Sequence, residues 1–178
     1  MKFFISFLTF FRLFSGPIIF AMILLSFHPA IAFILFVIAS LSDYFDGYLA
    51  RKYSLESTLG EIMDPIADKI LTLFLIITLT LYFKSPYIAI IGGMILSREF
   101  WVSALRDLNA RNNRLDATKV TFLAKLKTSS QFLTFGSFLL GILINNALII
   151  FLSNIFLFIA MTLSLQTALD YTKATFKD

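Results

Sequence analysis

Apolar residues fill most of the chain in long runs, and short polar or turn-forming segments interrupt them. A helix of about 20 mostly apolar residues is long enough to cross a bilayer. Turn signals at His28-Pro29, Lys84-Ser85-Pro86 and Asn145-Asn146 separate several of the runs. The pattern therefore predicts six spans, at about 13–27, 30–53, 59–83, 87–108, 117–143 and 148–171, with an interfacial helix over 2–11 before the first.

The composition supports an all-α integral membrane protein with six transmembrane helices in a single domain over residues 1–178. Of its residues, 58% are hydrophobic and the mean hydropathy is +0.86, whereas soluble domains are about 45–50% apolar. The N-terminus begins like a signal peptide, with Lys2 before an apolar run. Because Arg12 interrupts that run and no small-residue cleavage site follows, we interpret the segment as retained.

Basic residues are distributed unevenly about the expected spans. Fourteen of the fifteen fall at the end that carries both termini, and Lys84 alone falls at the other. The positive-inside rule then places both termini in the cytoplasm, most simply at a bacterial inner membrane. The net charge of +4 accordingly indicates basic loops beside anionic membrane lipids rather than nucleic acid binding.

Four aspartates occur in two pairs on the second and third predicted helices: Asp43, Asp46, Asp64 and Asp68. A charge at mid-bilayer costs roughly 2.5–3.5 kcal/mol on insertion scales, and such charges commonly mark function. Spacings of three and four residues put each pair on one helix face. Two adjacent antiparallel helices would therefore bring four carboxylates together, and two divalent cations would match their charge and prevent proton uptake.

The other residue types narrow the chemistry of this cluster. The chain has no cysteine and only one histidine, His28, so a metal would have oxygen ligands, which favours Mg, Ca or Mn. Two-metal sites of this kind activate a nucleophile and stabilise the leaving oxygen in phosphoryl displacement. Beside a membrane, this indicates chemistry on a lipid phosphate.

Small and basic residues surround the aspartates at fixed spacing. The full pattern is Asp43-x2-Asp46-Gly47-x2-Ala50-Arg51-x8-Gly60-x3-Asp64-x3-Asp68. The small side chains leave room for a ligand on the carboxylate faces, and Arg51 is suited to bidentate phosphate binding. Helix capping or pairing with Arg51, Lys52 and Lys69 could explain any single aspartate, but eight positions specified within 26 residues rarely coincide by chance.

This pattern matches in full the signature of the CDP-alcohol phosphatidyltransferases, and the six-span layout extends the resemblance over the whole chain. The resemblance implies a membrane enzyme that joins a CDP-activated group to an alcohol, releases CMP, and holds two divalent cations, Mg²⁺ or Mn²⁺, in a polar cavity facing the cytoplasm. It implies that Asp43, Asp46, Asp64 and Asp68 are metal ligands and that Asp68 is also the general base. Gly47, Ala50, Arg51 and Gly60 would form the CDP-binding region.

A second group of cations suggests an anionic acceptor. The sequences Arg98-Glu99-x3-Ser103-x-Leu105-Arg106 and Lys125-x-Lys127-Thr128-x2-Gln131 resemble the branch of the family that makes phosphatidylglycerophosphate. Thr9-x2-Arg12 also resembles that branch, although Pro-Asn does not precede it. The implied substrates are CDP-diacylglycerol and sn-glycerol 3-phosphate, with the acceptor phosphate against some of Arg98, Arg106, Lys125 and Lys127.

Other functions remain as alternatives at this point. Within the family, these are a CDP-diacylglycerol-dependent cardiolipin synthase and synthases for serine or inositol phosphate acceptors. A cation transporter is a more distant alternative, because intramembrane aspartates also line ion pathways. Its charges should extend across the membrane, whereas here they collect at one side. Gly92-Gly93 would permit close helix packing at a homodimer seam.

Overall fold

The computed structural model describes the backbone of residues 2–53, 58–114 and 122–177, and the side chains of residues 7–42, 60, 62–114 and 122–177. These residues form helices and no strand, as the hydrophobic pattern predicts. The helices within the described ranges are α1 (Lys2–Leu24), α2 (Pro29–Tyr53), α3 (Thr58–Phe83), α4 (Pro86–Arg111), α5 (Phe122–Leu143) and α6 (Ala147–Thr175).

The helix boundaries follow local chemistry at the expected turns. His28, Lys84 and Asn145 take left-handed backbone conformations, with φ of 47°, 49° and 51°. Ser85 caps α4, with Pro86 in the first turn, and Asn146 caps α6 by accepting hydrogen bonds from two backbone amides. The turns are therefore where the sequence places them.

The first expected span differs from the structure. A separate interfacial helix over 2–11 is wrong, because α1 is continuous from Lys2 to Leu24 and contains Pro17. Its polar residues Thr9 and Arg12 do not break it, since both side chains turn inward and are buried. The start expected for the fifth span, residue 117, lies outside the described residues.

The helices contact one another in a closed ring. Going round, α1 contacts α3, α3 contacts α4, α4 contacts α6, α6 contacts α5, α5 contacts α2, and α2 contacts α1. Short connections make successive helices antiparallel. The starts of α1, α3 and α5 therefore share one end of the bundle with the ends of α2, α4 and α6, and we call this the polar end.

Apolar side chains fill the middle of the ring and also cover much of its outside. Buried residues such as Leu71, Leu75, Ile95 and Phe138 form the core. Large apolar side chains that stay exposed occur on every helix, which is expected of a surface in contact with lipid.

Four described segments are long and apolar enough to cross a membrane: Phe7–Leu24, Ile62–Phe83, Pro86–Arg111 and Ala147–Thr175. In α2 the described apolar stretch, Pro29–Ser42, is shorter. The chain is thus an all-α membrane protein, and crossing by all six helices remains a prediction.

Candidate active site

Close packing of α1 on α3 brings the polar residues of both helices together. A Cβ atom at Gly16 would lie 3.1 Å from the Cα of Leu71 and 3.3 Å from the carbonyl oxygen of Ile70. Such distances are tight, so the missing side chain is what lets the two backbones approach. One turn before Gly16, Arg12 lies within reach of the polar start of α3.

Arg12 forms ion pairs with both aspartates of the pattern that lie on α3. Its Nη2 lies 3.1 Å from Oδ1 of Asp64, and its Nη1 lies 3.1 Å from Oδ1 of Asp68. Thr9 Oγ1 also donates a hydrogen bond of 2.8 Å to Oδ1 of Asp64. Arg12 is 0% exposed, whereas the aspartate side chains are 38% and 42% exposed. The carboxylates are therefore held on one side and open on the other.

The remaining members of the aspartate pattern lie in the part of the chain whose side chains are not described: Asp43, Asp46, Gly47, Ala50 and Arg51. Their helix, α2, contacts α1, which carries Arg12. Within the described side chains, no cluster of three or more metal-binding residues occurs. The convergence of all four carboxylates thus stays a prediction. The structure describes only the side chains of the two aspartates on α3. Gly60 lies on α3 one turn before Asp64, as the sequence predicts.

Asp64 and Asp68 nevertheless fit a site for a hard divalent cation. They offer only oxygen ligands, and both line the same cavity. One oxygen of Asp68, Oδ1, is buried, so the 42% exposure of this side chain comes from its remaining atoms, which face outward.

The cavity opens between α3, α4 and α5 at the polar end and has a volume of about 590 Å³. Asp64 and Asp68 line one side of it. The lining also includes the predicted acceptor-site cations, which are Arg98, Arg106, Lys125 and Lys127, together with Lys69 and Glu99. A deeper recess of about 70 Å³ continues inward beside Glu99, Lys127 and Gln131. The structure thus places carboxylates opposite cations in one space.

The four cations differ in their surroundings. Arg98 is 6% exposed, and its guanidinium donates hydrogen bonds to the carbonyl oxygen of Ser164 at 3.0 Å and to Thr167 Oγ1 at 2.7 Å. Arg98 therefore ties α4 to α6 while bordering the cavity. Arg106 is exposed and its Nη2 donates to the hydroxyl of Tyr171 at 3.2 Å. Lys125 is exposed as well.

Glu99 links two of these cations. Its carboxylate accepts a hydrogen bond from Arg98 at 3.3 Å and pairs with the ammonium of Lys127 on α5. Lys127 is 7% exposed, so this pairing offsets the cost of burying its charge. The sequence does not predict Glu99 as a site residue, because a carboxylate beside an anion-binding region gives no signal of its own.

Thr9 and Arg12 were also without an assigned role. The sequence does contain one signal for a role of Arg12, because an arginine inside an apolar helix needs a partner for its charge. Their spacing of three residues places them on one helix face, but the sequence does not specify which carboxylate that face meets.

Comparisons with known proteins match nearly the whole chain. The family model for CDP-alcohol phosphatidyltransferase matches residues 5–166. A protein of Wigglesworthia glossinidia brevipalpis named CDP-diacylglycerol--glycerol-3-phosphate 3-phosphatidyltransferase is 36% identical over 160 residues, which cover 86% of this chain and 88% of that protein.

Two further relatives have the same name. The one from Rickettsia bellii (strain RML369-C) is 42% identical over 142 residues, covering 79% of this chain and 76% of that protein. The one from Salmonella choleraesuis (strain SC-B67) is 29% identical over 169 residues, covering 94% and 91%. With the matching motif and the carboxylate-lined cavity, these similarities show that the chain belongs to the CDP-alcohol phosphatidyltransferase family.

Proposed function

We propose that this protein transfers the phosphatidyl group of CDP-diacylglycerol to a hydroxyl of sn-glycerol 3-phosphate and releases CMP. The family membership supports the transfer reaction. The names of the relatives support this donor and this acceptor. One structural observation carries the proposal furthest: Asp64 and Asp68 line the same cavity as the four cations of α4 and α5 that are expected to bind the acceptor.

Asp64 and Asp68 are the described part of the proposed metal site, and Asp43 and Asp46 on α2 would complete it. Bound Mg²⁺ or Mn²⁺ would supply charge stabilisation for the diphosphate. The cations of α4 and α5 are suited to the phosphate of the acceptor. Arg106 and Lys125, which are exposed to the cavity, are the most available of these.

The proposed reaction is a displacement at the phosphorus that bears diacylglycerol. The 1-hydroxyl of glycerol 3-phosphate attacks, and its proton passes to the carboxylate of Asp68. A bond forms between the acceptor oxygen and phosphorus, and the bond from phosphorus to the CMP oxygen breaks. An alcohol is a poor nucleophile at neutral pH, so a carboxylate within hydrogen-bond reach assists the attack. Asp68 borders both the cavity and its recess, which supports this role.

The polar end would face the cytoplasm, at the inner membrane of a bacterium. The distribution of basic residues supports this orientation. CDP-diacylglycerol would then keep its acyl chains in the bilayer while glycerol 3-phosphate and CMP exchange with water. The described aspartates and site cations gather at one end, which supports an interfacial enzyme over a transmembrane ion pathway.

The test is an acceptor assay on the purified full chain in detergent. With CDP-diacylglycerol and Mg²⁺ or Mn²⁺, we expect CMP release that depends on added glycerol 3-phosphate and stops with EDTA. Activity with phosphatidylglycerol but not with glycerol 3-phosphate would instead identify a cardiolipin synthase. Activity with serine or inositol phosphate alone would likewise overturn the proposed acceptor.

A further inference from the structure

We propose that Arg12 and Thr9 are positioning residues, which hold Asp64 and Asp68 in the arrangement that binds metal. This inference rests on the proposed metal-dependent function. It assigns a role to the first helix, which the aspartate pattern on α2 and α3 does not include. The two residues would act through the carboxylates and not on the substrates.

The contacts of Arg12 and Thr9 favour a role in holding the carboxylates over a role in binding the substrates. The ion pairs of Arg12 with Asp64 and Asp68 and the hydrogen bond of Thr9 to Asp64 involve the Oδ1 atoms of the carboxylates. Asp64 Oδ1 accepts hydrogen bonds from Thr9 Oγ1 and Arg12 Nη2. Asp68 Oδ1 forms an ion pair with the other terminal nitrogen of the same arginine, Nη1. The carboxylates still border the cavity. The helix α1 thus holds one oxygen of each carboxylate, while each side chain stays partly exposed at the cavity where a cation would bind.

Burial separates these residues from the substrates. Arg12 is 0% exposed and Thr9 is 2% exposed. A fully buried guanidinium cannot donate directly to a diphosphate in the cavity without a change of structure. Its effect on chemistry would pass through the groups it contacts, which within the described residues include Asp64 and Asp68.

The shape of arginine suits this task better than that of lysine. Its planar guanidinium presents two nitrogens in a fixed fork, so one side chain can hold carboxylates from successive turns of α3. Its positive charge also reduces the repulsion between Asp64 and Asp68. Groups that orient metal ligands commonly change metal affinity or activity by about 10–100-fold when they are removed.

The experiment compares Arg12→Lys and Thr9→Val with the matched control Ser15→Ala. Ser15 is a buried hydroxyl on the same helix, and it bonds only locally in the described structure, to the carbonyl oxygen of Phe11 at 2.7 Å. Mn²⁺ binding to the purified full chain is measured by electron paramagnetic resonance without substrates. In parallel, CMP release is measured as a function of Mn²⁺ and of each substrate.

We expect the Mn²⁺ dissociation constant to rise by about 10–100-fold in Arg12→Lys and by about tenfold in Thr9→Val. Ser15→Ala should bind Mn²⁺ as the original protein does. Activity of the two site variants should recover at raised Mn²⁺ concentration, with KM for glycerol 3-phosphate unchanged. If Arg12→Lys does not fold, Thr9→Val carries the same test, because valine nearly matches threonine in volume and removes only the hydroxyl.

Three results would count against the inference, and they are distinguishable. No Mn²⁺ binding by the original protein would overturn the proposed metal chemistry itself. Mn²⁺ binding by the original protein and equal binding by the site variants would overturn the positioning role alone. A raised KM for CDP-diacylglycerol with unchanged Mn²⁺ affinity would make Arg12 a substrate contact instead.

Discussion

Arg12 is the largest fully buried side chain among the described residues. A guanidinium in such a place requires counter-charges, and Asp64 and Asp68 supply them. Removing one partner of a buried ion pair destabilises a protein strongly, because the charge of the other partner stays buried without compensation. The same contacts that stabilise Arg12 therefore fix the carboxylates.

Asp68→Asn tests the proposed base. The amide keeps the size of the side chain but cannot accept a proton from the acceptor hydroxyl, and it is a poorer metal ligand. We expect CMP release to fall by at least about 100-fold, the lower range of general-base contributions. The control is Asp107→Asn, an exposed carboxylate that pairs with Arg111 away from the cavity. Near-normal turnover by Asp68→Asn would remove its proposed role.

Arg106→Ala tests the acceptor site. Since Arg106 borders the cavity and is exposed, its loss should weaken binding of the acceptor phosphate. A melting curve of the variant measures the separate effect of losing the hydrogen bond to Tyr171. Hydrogen bonds to charged groups contribute roughly 1.5–3 kcal/mol, and solvent reduces this, so we expect KM for glycerol 3-phosphate to rise about tenfold. Arg111→Ala, on the same helix with its side chain 76% exposed, is the control. Equal KM values in both variants would contradict the assignment.

Arg98 stays a predicted phosphate ligand, but the structure gives it a second role. Its hydrogen bonds to Ser164 and Thr167 hold α6. A loss of activity in Arg98→Ala would therefore mix binding with folding to a greater degree than in Arg106→Ala, because Arg106 is exposed and its hydrogen bond to α6 goes to the hydroxyl of Tyr171. The sequence could not make this distinction, because both arginines lie in similar apolar surroundings along α4.

At the scale of helices, the contact between α1 and α3 determines the geometry of the aspartates. Gly16 makes that contact close. Periodicity predicts both helices, and it predicts the boundaries of α3 to within one residue, since runs of apolar residues and turn residues are local signals. The expected first span, 13–27, differs from α1 at both ends. Periodicity does not predict that α1 packs on α3, because many pairings bury similar apolar surface.

Gly16→Ala tests the importance of this close packing. The added Cβ would lie 3.1 Å from Leu71 Cα and 3.2 Å from Phe74 Cβ, and a backbone neighbour cannot move aside independently. Overpacking of this kind costs roughly 1–3 kcal/mol. We expect a lower melting temperature, and lower activity because Arg12 is displaced from the aspartates. Gly93→Ala is the control, since its Cβ would meet nothing within 4 Å in the described structure. A Gly16→Ala protein as stable and active as Gly93→Ala would show that the packing tolerates the shift.

In the molecule as a whole, the aspartates and cations of the described site gather at the polar end. The described turns at 25–28, 84–85 and 144–146 form the other end, and Lys84 is the basic residue there. This arrangement agrees with the sidedness expected from the sequence. The direction in which the polar end faces is a prediction that the fold alone does not test.

Cysteine labelling tests the orientation cleanly, because the chain contains no cysteine. Phe27 is 63% exposed at one end, and Lys177 is exposed at the other. In intact cells, a membrane-impermeant maleimide should label Phe27→Cys. It should reach Lys177→Cys only after permeabilisation. The reverse pattern would invert the proposed topology.

The sequence predicts the helical fold and the chemical character of the site, but not all of its members. Asp64 and Asp68 could be identified because their spacing along one helix is visible. The roles of Thr9, Arg12 and Glu99 depend on contacts between helices distant in sequence, and Thr9 lies 55 residues before its partner Asp64. Such contacts follow from the order in which the helices pack around the ring. The pattern of apolar and polar residues along each helix does not specify that order.

The pairing of Arg12 with Asp64 and Asp68 has a consequence for biosynthesis. Arg12 precedes Asp64 by 52 residues, so the ribosome makes the cation before the carboxylates of α3. Those two aspartates can then enter the membrane beside a counter-ion that is already present. The acceptor cations of α4 and α5 are translated later, so the part of the site that faces the metal can assemble before the part that selects the alcohol.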